Sequence, residues 1–466
     1  MTAWLEMKTN FSPEQLLDPR IAEADSILKR CVHCGLCTAT CPTYLLGGDE
    51  RDSPRGRIYL MKDMFESGKA ASSQVQHHVD RCLSCLSCMT TCPGGVDYMH
   101  LVDAARAHIT ATARRPVKER LVRWLLAAIV PYPSRFRWAL KAAPMGRSLT
   151  GVMRATGFRQ LAAMIESAPR VPLPRAGKFR GPGTAATTAR RRARVILLAG
   201  CAQQVLRPDI NDATIRVLAR RGIDVEVVAG AGCCGGVVHH MGNATDGLRL
   251  ARQNVDAWWK AITREPVDAI IINTSGCGTT VKDYGHMLRL DPTYAERAGK
   301  VSALTKDVTE FLSSYDLGAP KRWSSLKVAY HAACSLQHGQ KIVDQPKSLL
   351  KSAGYTVVDV AEGHICCGSA GVYSILQSEL AGALRDRKVG NIEQLRADLV
   401  AAGNIGCITH LADGVSIPVT HTVELLDWAY GGPVPRGLEG LSAYMNDVPS
   451  PARSSVLTAD DYIDPA

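Results

Sequence analysis

Apolar positions follow two different periods along this chain, and the change from one to the other divides it. Between residues 42 and 110 they recur at helical spacing. Ile58, Met61, Met64 and Phe65 follow the turn-rich Gly47-Gly48-Asp49 and Ser53-Pro54-Arg55-Gly56, and Leu101, Val102 and Ala105 share one side of residues 99–110. From Arg194 onward, short continuous apolar runs take over: Arg194-VILLAGC and Asp224-VEVVAG, then Lys327-VAYHAAC and Tyr355-TVVDV. A helical segment closed by Gly222 or Gly354 separates the members of each pair, and a third run follows each, Asp268-AIIINTSGC or Asp398-LVAAGNIGC. Strand, helix, strand in that order predicts two copies of a parallel α/β unit, a fold that places its ligands at the carboxyl ends of its strands.

Length and composition set the frame. At roughly 150 residues per domain, 466 residues make about three compact units, and 46% hydrophobic with 21% charged residues excludes a disordered chain, a fibrous repeat or a membrane bundle. The longest apolar stretches, near residues 124–130 and 270–272, fall far short of the roughly 18 residues a spanning helix needs. No basic stretch followed by an apolar core opens the chain, so no secretory signal is read and a cytoplasmic location is expected. In that reducing compartment 16 cysteines are metal ligands or catalytic groups rather than disulfides.

The net charge of +11 is matched by residues 114–175 alone, with thirteen lysines and arginines against Glu119 and Glu166. There Leu121, Trp124, Leu125 and Ala128, then Phe136, Trp138 and Leu140, interleave with Arg115, Lys118, Arg120, Arg123, Arg135, Arg137 and Lys141. A basic amphipathic helix with tryptophan reads as a membrane-surface element. Equally, it reads as a helical bridge docked on a partner or on the chain's own cores. No helix-turn-helix or RNA-binding signature accompanies it, so a nucleic acid is not the expected partner. Residues 167–194, rich in Pro, Gly, Thr and Arg, read as a flexible linker, and 431–466 as a weakly ordered tail.

The cysteines fall into two sets of eight. The first reads Cys31-x-x-Cys34-x-x-Cys37-x-x-x-Cys41-Pro42 and again Cys82-x-x-Cys85-x-x-Cys88-x-x-x-Cys92-Pro93. This is the bacterial ferredoxin run, duplicated, in which three closely spaced thiolates hold one 4Fe-4S cluster and the fourth reaches the other. The expected ligands are therefore Cys31, Cys34, Cys37 and Cys92 for one cluster and Cys82, Cys85, Cys88 and Cys41 for the second. Zinc also takes C-x-x-C pairs, but it has no use for the full duplicated run.

The second set is an internal repeat. Cys201 is followed after 31 residues by Cys233-Cys234-Gly235 and, after 42 more, by Cys277; Cys334 is followed after 31 by Cys366-Cys367-Gly368 and, after 39, by Cys407. These are candidate ligands of a further iron-sulfur cluster, one set per repeat or shared. Gly230, Gly232 and Gly235 match a dinucleotide-binding G-x-G-x-x-G, but the second copy has Ile365 where the first has Gly232. What is duplicated is the thiolate pair, and no flavin or nicotinamide site is expected in this chain. His331, His364 and His410 stand close to these cysteines. Histidine can ligate such clusters, yet hydrogen bonding to sulfur or a plain structural role is the reading favoured for each.

Stretches such as Ala24-DSILKRCVHCGLCTATCPTYLLGGDE, Pro54-RGRIYLMK, Asn254-VDAWW, Ser275-GCG, Ser335-LQHGQK, Cys366-CGSAG and Asn404-IGCITHL resemble the iron-sulfur subunit of glycolate oxidase (glycolate dehydrogenase), within the wider group of CCG-domain electron-transfer subunits. The resemblance runs from about residue 24 to residue 421. It implies FAD-linked oxidase subunits as partners, oxidation of glycolate to glyoxylate, and delivery of electrons toward a membrane quinone; the basic segment read as a membrane-surface element would put this cytoplasmic chain on the inner face of the cell membrane. The architecture expected is α + α/β: an α-helical ferredoxin module with two 4Fe-4S clusters (1–112), a basic bridge and linker (113–193), two tandem α/β cysteine-rich CCG domains (194–322 and 323–430) and the tail. D-lactate and glycerol-3-phosphate systems use similar wiring. In heterodisulfide reductase the fullest CCG pattern ends in C-x-x-C; here Cys277 has Thr274 and Thr280 at those offsets, and Cys407 has Asn404 and His410. That leaves four thiolates per repeat and speaks against disulfide reduction.

Overall fold

The helical period of the first hundred residues becomes four packed helices. In the computed structural model, which describes residues 7–169, 172–175, 181–185 and 191–447, the helix Pro54–Ser67 starts where the Ser53 hydroxyl accepts the Gly56 N–H at 3.0 Å and stops at Gly68, whose φ is 63°. Its Ile58, Met61, Met64 and Phe65 are all buried. They meet Leu28 of Pro19–Lys29, Val79 of Ser73–Asp80, and Leu101, Val102, Ala105 and Ile109 of Tyr98–Thr112. Each of these side chains larger than alanine contributes about 1.5–3 kcal/mol by leaving water. No strand occurs among the described residues up to 169, so the N-terminal module is α-helical, as expected.

Two sheets follow. Strands β1 (Gly181–Ala185), β2 (Ala193–Leu197), β3 (Ile223–Val227), β4 (Ala269–Ile272) and β5 (Thr305–Asp307) form the first, in the order β1-β3-β2-β4-β5. All neighbours are parallel except β1, which runs antiparallel along β3. After β6 (Arg322–Ser324), strands β7 (Lys327–His331), β8 (Thr356–Asp359), β9 (Leu399–Ala402) and β10 (Val419–His421) form a second, fully parallel sheet in the order β10-β9-β7-β8. The order β3-β2-β4-β5 repeats as β8-β7-β9-β10, so the sequence repeat is a structural one. The central strands are fully buried, which is why they read as unbroken apolar runs. The helices Asp209–Ala219 and Thr422–Ala429 join the two units across a shared core, where Arg216 and Arg220 both bind the buried Asp427 at 2.6 Å.

Two expectations change here. Within the segment read as a linker, Gly181–Ala185 is instead the edge strand of the first sheet; residues 176–180 and 186–190 lie outside the described residues. The segment read as a tail is ordered structure as far as it is described: Leu438 is buried, Glu439–Tyr444 forms a short helix, and β11 (Met445–Asp447) pairs antiparallel with β6; residues 448–466 lie outside the described residues.

The basic bridge folds as helices Val117–Ile129, Pro133–Gly146, Thr150–Ala155 and Arg159–Glu166. Val122 and Leu126 are buried against Val238, Met241, Leu250 and Val372 of the α/β units. Arg115 and Arg123 are spent inside the chain, both pairing with Asp80 and Glu119. Trp124 and Trp138 remain 64% and 73% exposed. The bridge therefore docks one face on its own chain and presents the other outward. No described helix is long and apolar enough to cross a membrane.

Candidate metal centres

The two ferredoxin-like runs adopt the same local conformation. His33 and Ser84, two residues after Cys31 and Cys82, have φ of 53° and 51°; Gly35 and Leu86, one residue after Cys34 and Cys85, have 81° and 63°. These left-handed positions curl the backbone so that its N–H groups face sulfur. Ser84 N–H donates to Cys82 Sγ at 3.4 Å, and the N–H groups of His33 and Ser87 serve Cys31 and Cys85. Leu86 occupies a conformation that costs a non-glycine residue on the order of 1 kcal/mol or more, and its side chain is buried at 5% exposure, beside Gly339 of the second α/β unit.

Each curled run faces a small cavity. Cys41, Cys82, Cys85 and Cys88 line one, together with Thr43, Arg57 and Tyr98. Cys31, Cys34, Cys37 and Cys92 line the other, together with Cys88, Gly94 and Tyr98. Burial pushes the Cys37 thiol up to about 11 and those of Cys85 and Cys88 well above the ordinary thiol range. Thiols held protonated by apolar walls become ligands when a cation displaces the proton. The Tyr98 hydroxyl, on the wall of both cavities, is buried without a hydrogen-bond partner among the described residues. Sulfur-rich walls with an unspent donor fit an iron-sulfur cluster. Arg57, 1% exposed, reaches Thr43 Oγ1 (3.0 Å), the His78 carbonyl (2.6 Å) and Asp52 (3.3 Å), with Nη1 3.9 Å from Cys41 Sγ. It sets a positive charge where thiolates would gather.

In both α/β units the cysteines sit beyond the carboxyl ends of the strands: Cys201 after β2, Cys233-Cys234 after β3, Cys277 after β4; Cys334 after β7, Cys366-Cys367 after β8, Cys407 after β9. Cys233 neighbours Cys201 and Cys234, and Cys234 neighbours Cys277; interaction with Cys233 and Cys277 pulls the Cys234 thiol well below the ordinary thiol range. In the second unit Cys334 Sγ lies 3.7 Å from Cys366 Sγ, Cys366 contacts Cys367, and Cys367 contacts Cys407. Four sulfurs thus converge in each unit. Gly235 and Gly368 have φ of 85° and 93°, and a Cβ on either would strike the backbone of the next long helix, at Gly247 O and Ala381 O. The glycine after each cysteine pair serves this close approach.

The neighbouring histidines part ways. His410 donates Nε2–H to Ala381 O at 3.2 Å, while His331, 2% exposed, lies with Cys367 and Cys407 in a group whose ligand atoms fall within 4.8 Å of one another. Burial and the ammonium of Lys388 lower the His331 pKa to about 3, so its ring is neutral.

Two features are absent from any sequence motif. Cys85 packs with Leu83, Ile365, Cys366 and Tyr373, with Cys334 at the margin, which brings a ferredoxin-like cysteine to the second α/β unit. A cavity of about 610 Å³ also opens onto Cys201, Cys234, Cys277, Cys334, Cys366 and Cys407, walled on its far side by Leu126, Ile129, Phe136 and Leu140 of the bridge. The interleaved apolar positions of the bridge were the only signal for that wall.

Histidines clasp the helical module to the first α/β unit. His100 sits between Asp97 (2.6 Å) and Asp283 (2.8 Å) and stacks on His286 at 3.4 Å between ring centroids; Glu23 binds His286 at 2.6 Å and also pairs with Arg289, and His239 lies nearby. Burial opposes a charge on His100, but bonds to Asp283 and Asp97 prevail and raise its pKa to about 10 from an ordinary 6.5. The folded state therefore binds this proton more tightly, and the stability it confers is complete below about pH 6.5 and fades as pH climbs toward 10. The unfolding midpoint should fall over that window, and His100→Gln should flatten the fall. An unchanged slope in the variant would remove His100 as its cause.

A helical module with duplicated cysteine loops, leading into two α/β units with four thiols at their strand ends, defines an iron-sulfur protein. Residues 27–96 match the 4Fe-4S dicluster domain family, and residues 195–282 and 328–412 each match the cysteine-rich domain family. The chain is 42% identical to the glycolate oxidase iron-sulfur subunit of Escherichia coli (strain K12) over 91% of its length and 99% of that protein's. It is 30% identical to the probable glycolate oxidase iron-sulfur subunit of Bacillus subtilis (strain 168), over 87% and 94%. A hypothetical protein from Helicobacter pylori of known crystal structure shares the fold with a TM-score of 0.52 at 12% identity, covering 93% of this chain and 76% of that one. This chain belongs to the family of glycolate oxidase iron-sulfur subunits.

Proposed function

We propose that this chain is the electron-carrying subunit of a flavin-dependent glycolate dehydrogenase. In this reading an FAD-linked partner oxidises glycolate to glyoxylate, releasing two electrons and two protons, and this chain conducts the electrons toward a membrane quinone. Cys31, Cys34, Cys37 and Cys92 would hold one 4Fe-4S cluster, and Cys41, Cys82, Cys85 and Cys88 the second. Cys201, Cys233, Cys234 and Cys277, and separately Cys334, Cys366, Cys367 and Cys407, would hold further centres. When bound, such clusters exchange single electrons without a protein group changing its covalent bonds.

The observation that carries this reading is the contiguity of the sulfur sets. Cys88 borders both small cavities, and Cys85 belongs to the packed group that includes Cys366 and Cys334. The protein's own contribution is to exclude water, to aim N–H groups at sulfur and to place Arg57 beside Cys41. The outward-facing Trp124 and Trp138 on the basic bridge support contact with an anionic membrane at the inner face of the cell. The test is anaerobic purification with co-expressed flavin subunits, iron and sulfide counts, and EPR before and after glycolate. About eight irons or more per chain, with cluster signals that appear on adding glycolate, are expected. Clusters that stay oxidised with glycolate yet respond to lactate or glycerol-3-phosphate would overturn the substrate.

A further inference from the structure

The two α/β units share their sheet order and their four cysteines, yet their centres are not surrounded by the same chemistry. Cys201 and Cys334 occupy equivalent places, so the residue three positions earlier is Leu198 in the first unit and His331 in the second. Both side chains are buried, at 3% and 2% exposure. Leu198 fits its surroundings, packing in a cluster with Ile196, Ile270, Ile272 and Cys234. His331 does not, because its Nε2 has no hydrogen-bond partner among the described residues. A buried nitrogen left unpaired is costly, and the first unit shows that the fold accepts an aliphatic side chain here. The histidine therefore answers to something other than packing.

Its surroundings indicate what that is. The ligand atoms of His331, Cys367 and Cys407 form one group, all within 4.8 Å of one another. The other polar neighbours are already committed: His410 bonds Ala381 O, and the Asn404 amide donates to Cys407 Sγ at 3.4 Å. Lys388, 2% exposed, gives its ammonium to Glu362 O at 2.6 Å and faces Cys366 and Cys367. Gly235 rests on Gly247 as Gly368 rests on Ala381, and seven residues beyond these contacts the first unit has the neutral Asn254 where the second has Lys388.

We propose that His331 ligates iron through Nε2 in the second cysteine-rich unit, giving that centre an imidazole ligand which its counterpart in the first unit lacks. The inference rests on the reading that these units hold iron-sulfur clusters. A neutral imidazole adds no charge to the four thiolates, and the buried ammonium beside them leaves the second site less negative than the first, where Asn254 is neutral. Histidine ligation raises the potential of iron-sulfur centres, so the second centre is the more oxidising of the two and draws electrons from the cluster at Cys85.

The full chain, prepared anaerobically with its flavin partners and grown once with ¹⁵N-histidine, tests this by pulsed EPR of the paramagnetic centres. A strong nitrogen hyperfine coupling that changes to the ¹⁵N pattern on labelling is expected. It should vanish in His331→Leu, which copies the first unit, and persist in His410→Leu. A redox titration of His331→Leu should also show one centre moved to lower potential. Iron above about eight per chain with no histidine coupling, or a coupling that survives His331→Leu, overturns the proposal alone. Iron that stops at about eight removes clusters from these units and the proposal with them. The labelling arm needs no variant, so it stands even where His331→Leu fails to fold.

Discussion

Cys85→Ala protein, purified without oxygen, is expected to hold about four fewer irons per chain than the native protein and to leave its downstream centres oxidised when glycolate is supplied through the flavin partner. Two separate observations converge on this residue. Its thiol lines the cavity shared with Cys41, Cys82 and Cys88, so removing it takes one of four converging sulfurs. It also packs with Cys366 and Cys334, so the same change interrupts the line of sulfur sets between modules. Buried thiols in apolar surroundings are held as thiolates by the metal that displaces their protons, so losing one of the four weakens the hold of the whole set. Alanine leaves the loop's left-handed turns to Ser84 and Leu86, so the backbone keeps its course while the ligand is lost. Iron assay and EPR on the native and variant chains decide the matter. Unchanged iron in Cys85→Ala would remove this residue from the ligand set, and intact glycolate-driven reduction would remove it from the path.

What the sequence disclosed and what it withheld follow a physical division. Cluster ligation demands fixed covalent spacing, so the eight ferredoxin-like cysteines and the repeated Cys-Cys-Gly are visible in one dimension. Helices with one buried face and strands with two leave their periods in the apolar positions, as Ile58 to Phe65 and the run before Cys201 do. Contacts between residues far apart in the chain leave no such mark. The approach of Cys85 to Cys366, the clasp of His100 on Asp283 and the unpaired Nε2 of His331 each depend on how modules dock. Local conformation was partly hidden too. Gly35 advertises its left-handed turn, but its counterpart Leu86 adopts the same turn without a glycine to signal it. Asp307 caps the helix after β5 in the ordinary way, by accepting the Thr309 N–H; in the second unit His421 Nδ1 accepts from Val423 N–H after β10, a role no propensity assigns to histidine. The bridge shows the limit of charge counting, for Arg115 and Arg123 answer Asp80, a residue outside the basic segment.

Asp52→Ala is expected to cost the helical module about 3–5 kcal/mol, the range for removing one partner of a buried ion pair. Asp52 is completely buried and holds three groups at once: Arg57 at 3.3 Å, His78 Nδ1 at 2.9 Å and Arg81 at 3.0 Å. With the carboxylate gone, Arg57 stays enclosed at 1% exposure with only the Thr43 hydroxyl and the His78 carbonyl as close partners. A guanidinium cannot shed its proton to escape, so the cost falls on the fold. Asp52→Asn keeps an oxygen acceptor but no charge and should lose less. Exchanging both partners, Asp52→Ala with Arg57→Met, should recover part of the loss, because an apolar pair no longer strands a buried cation. The chain has several units and no single two-state transition is defined for it. The measurement is therefore denaturant-induced bleaching of cluster absorbance, which follows the helical module that contains the thiols. A midpoint for Asp52→Ala equal to that of an exposed substitution such as Asp63→Ala would show that Arg57 does not depend on this carboxylate. Recovery in the double variant would locate the loss in the stranded charge rather than in the space left by the side chain.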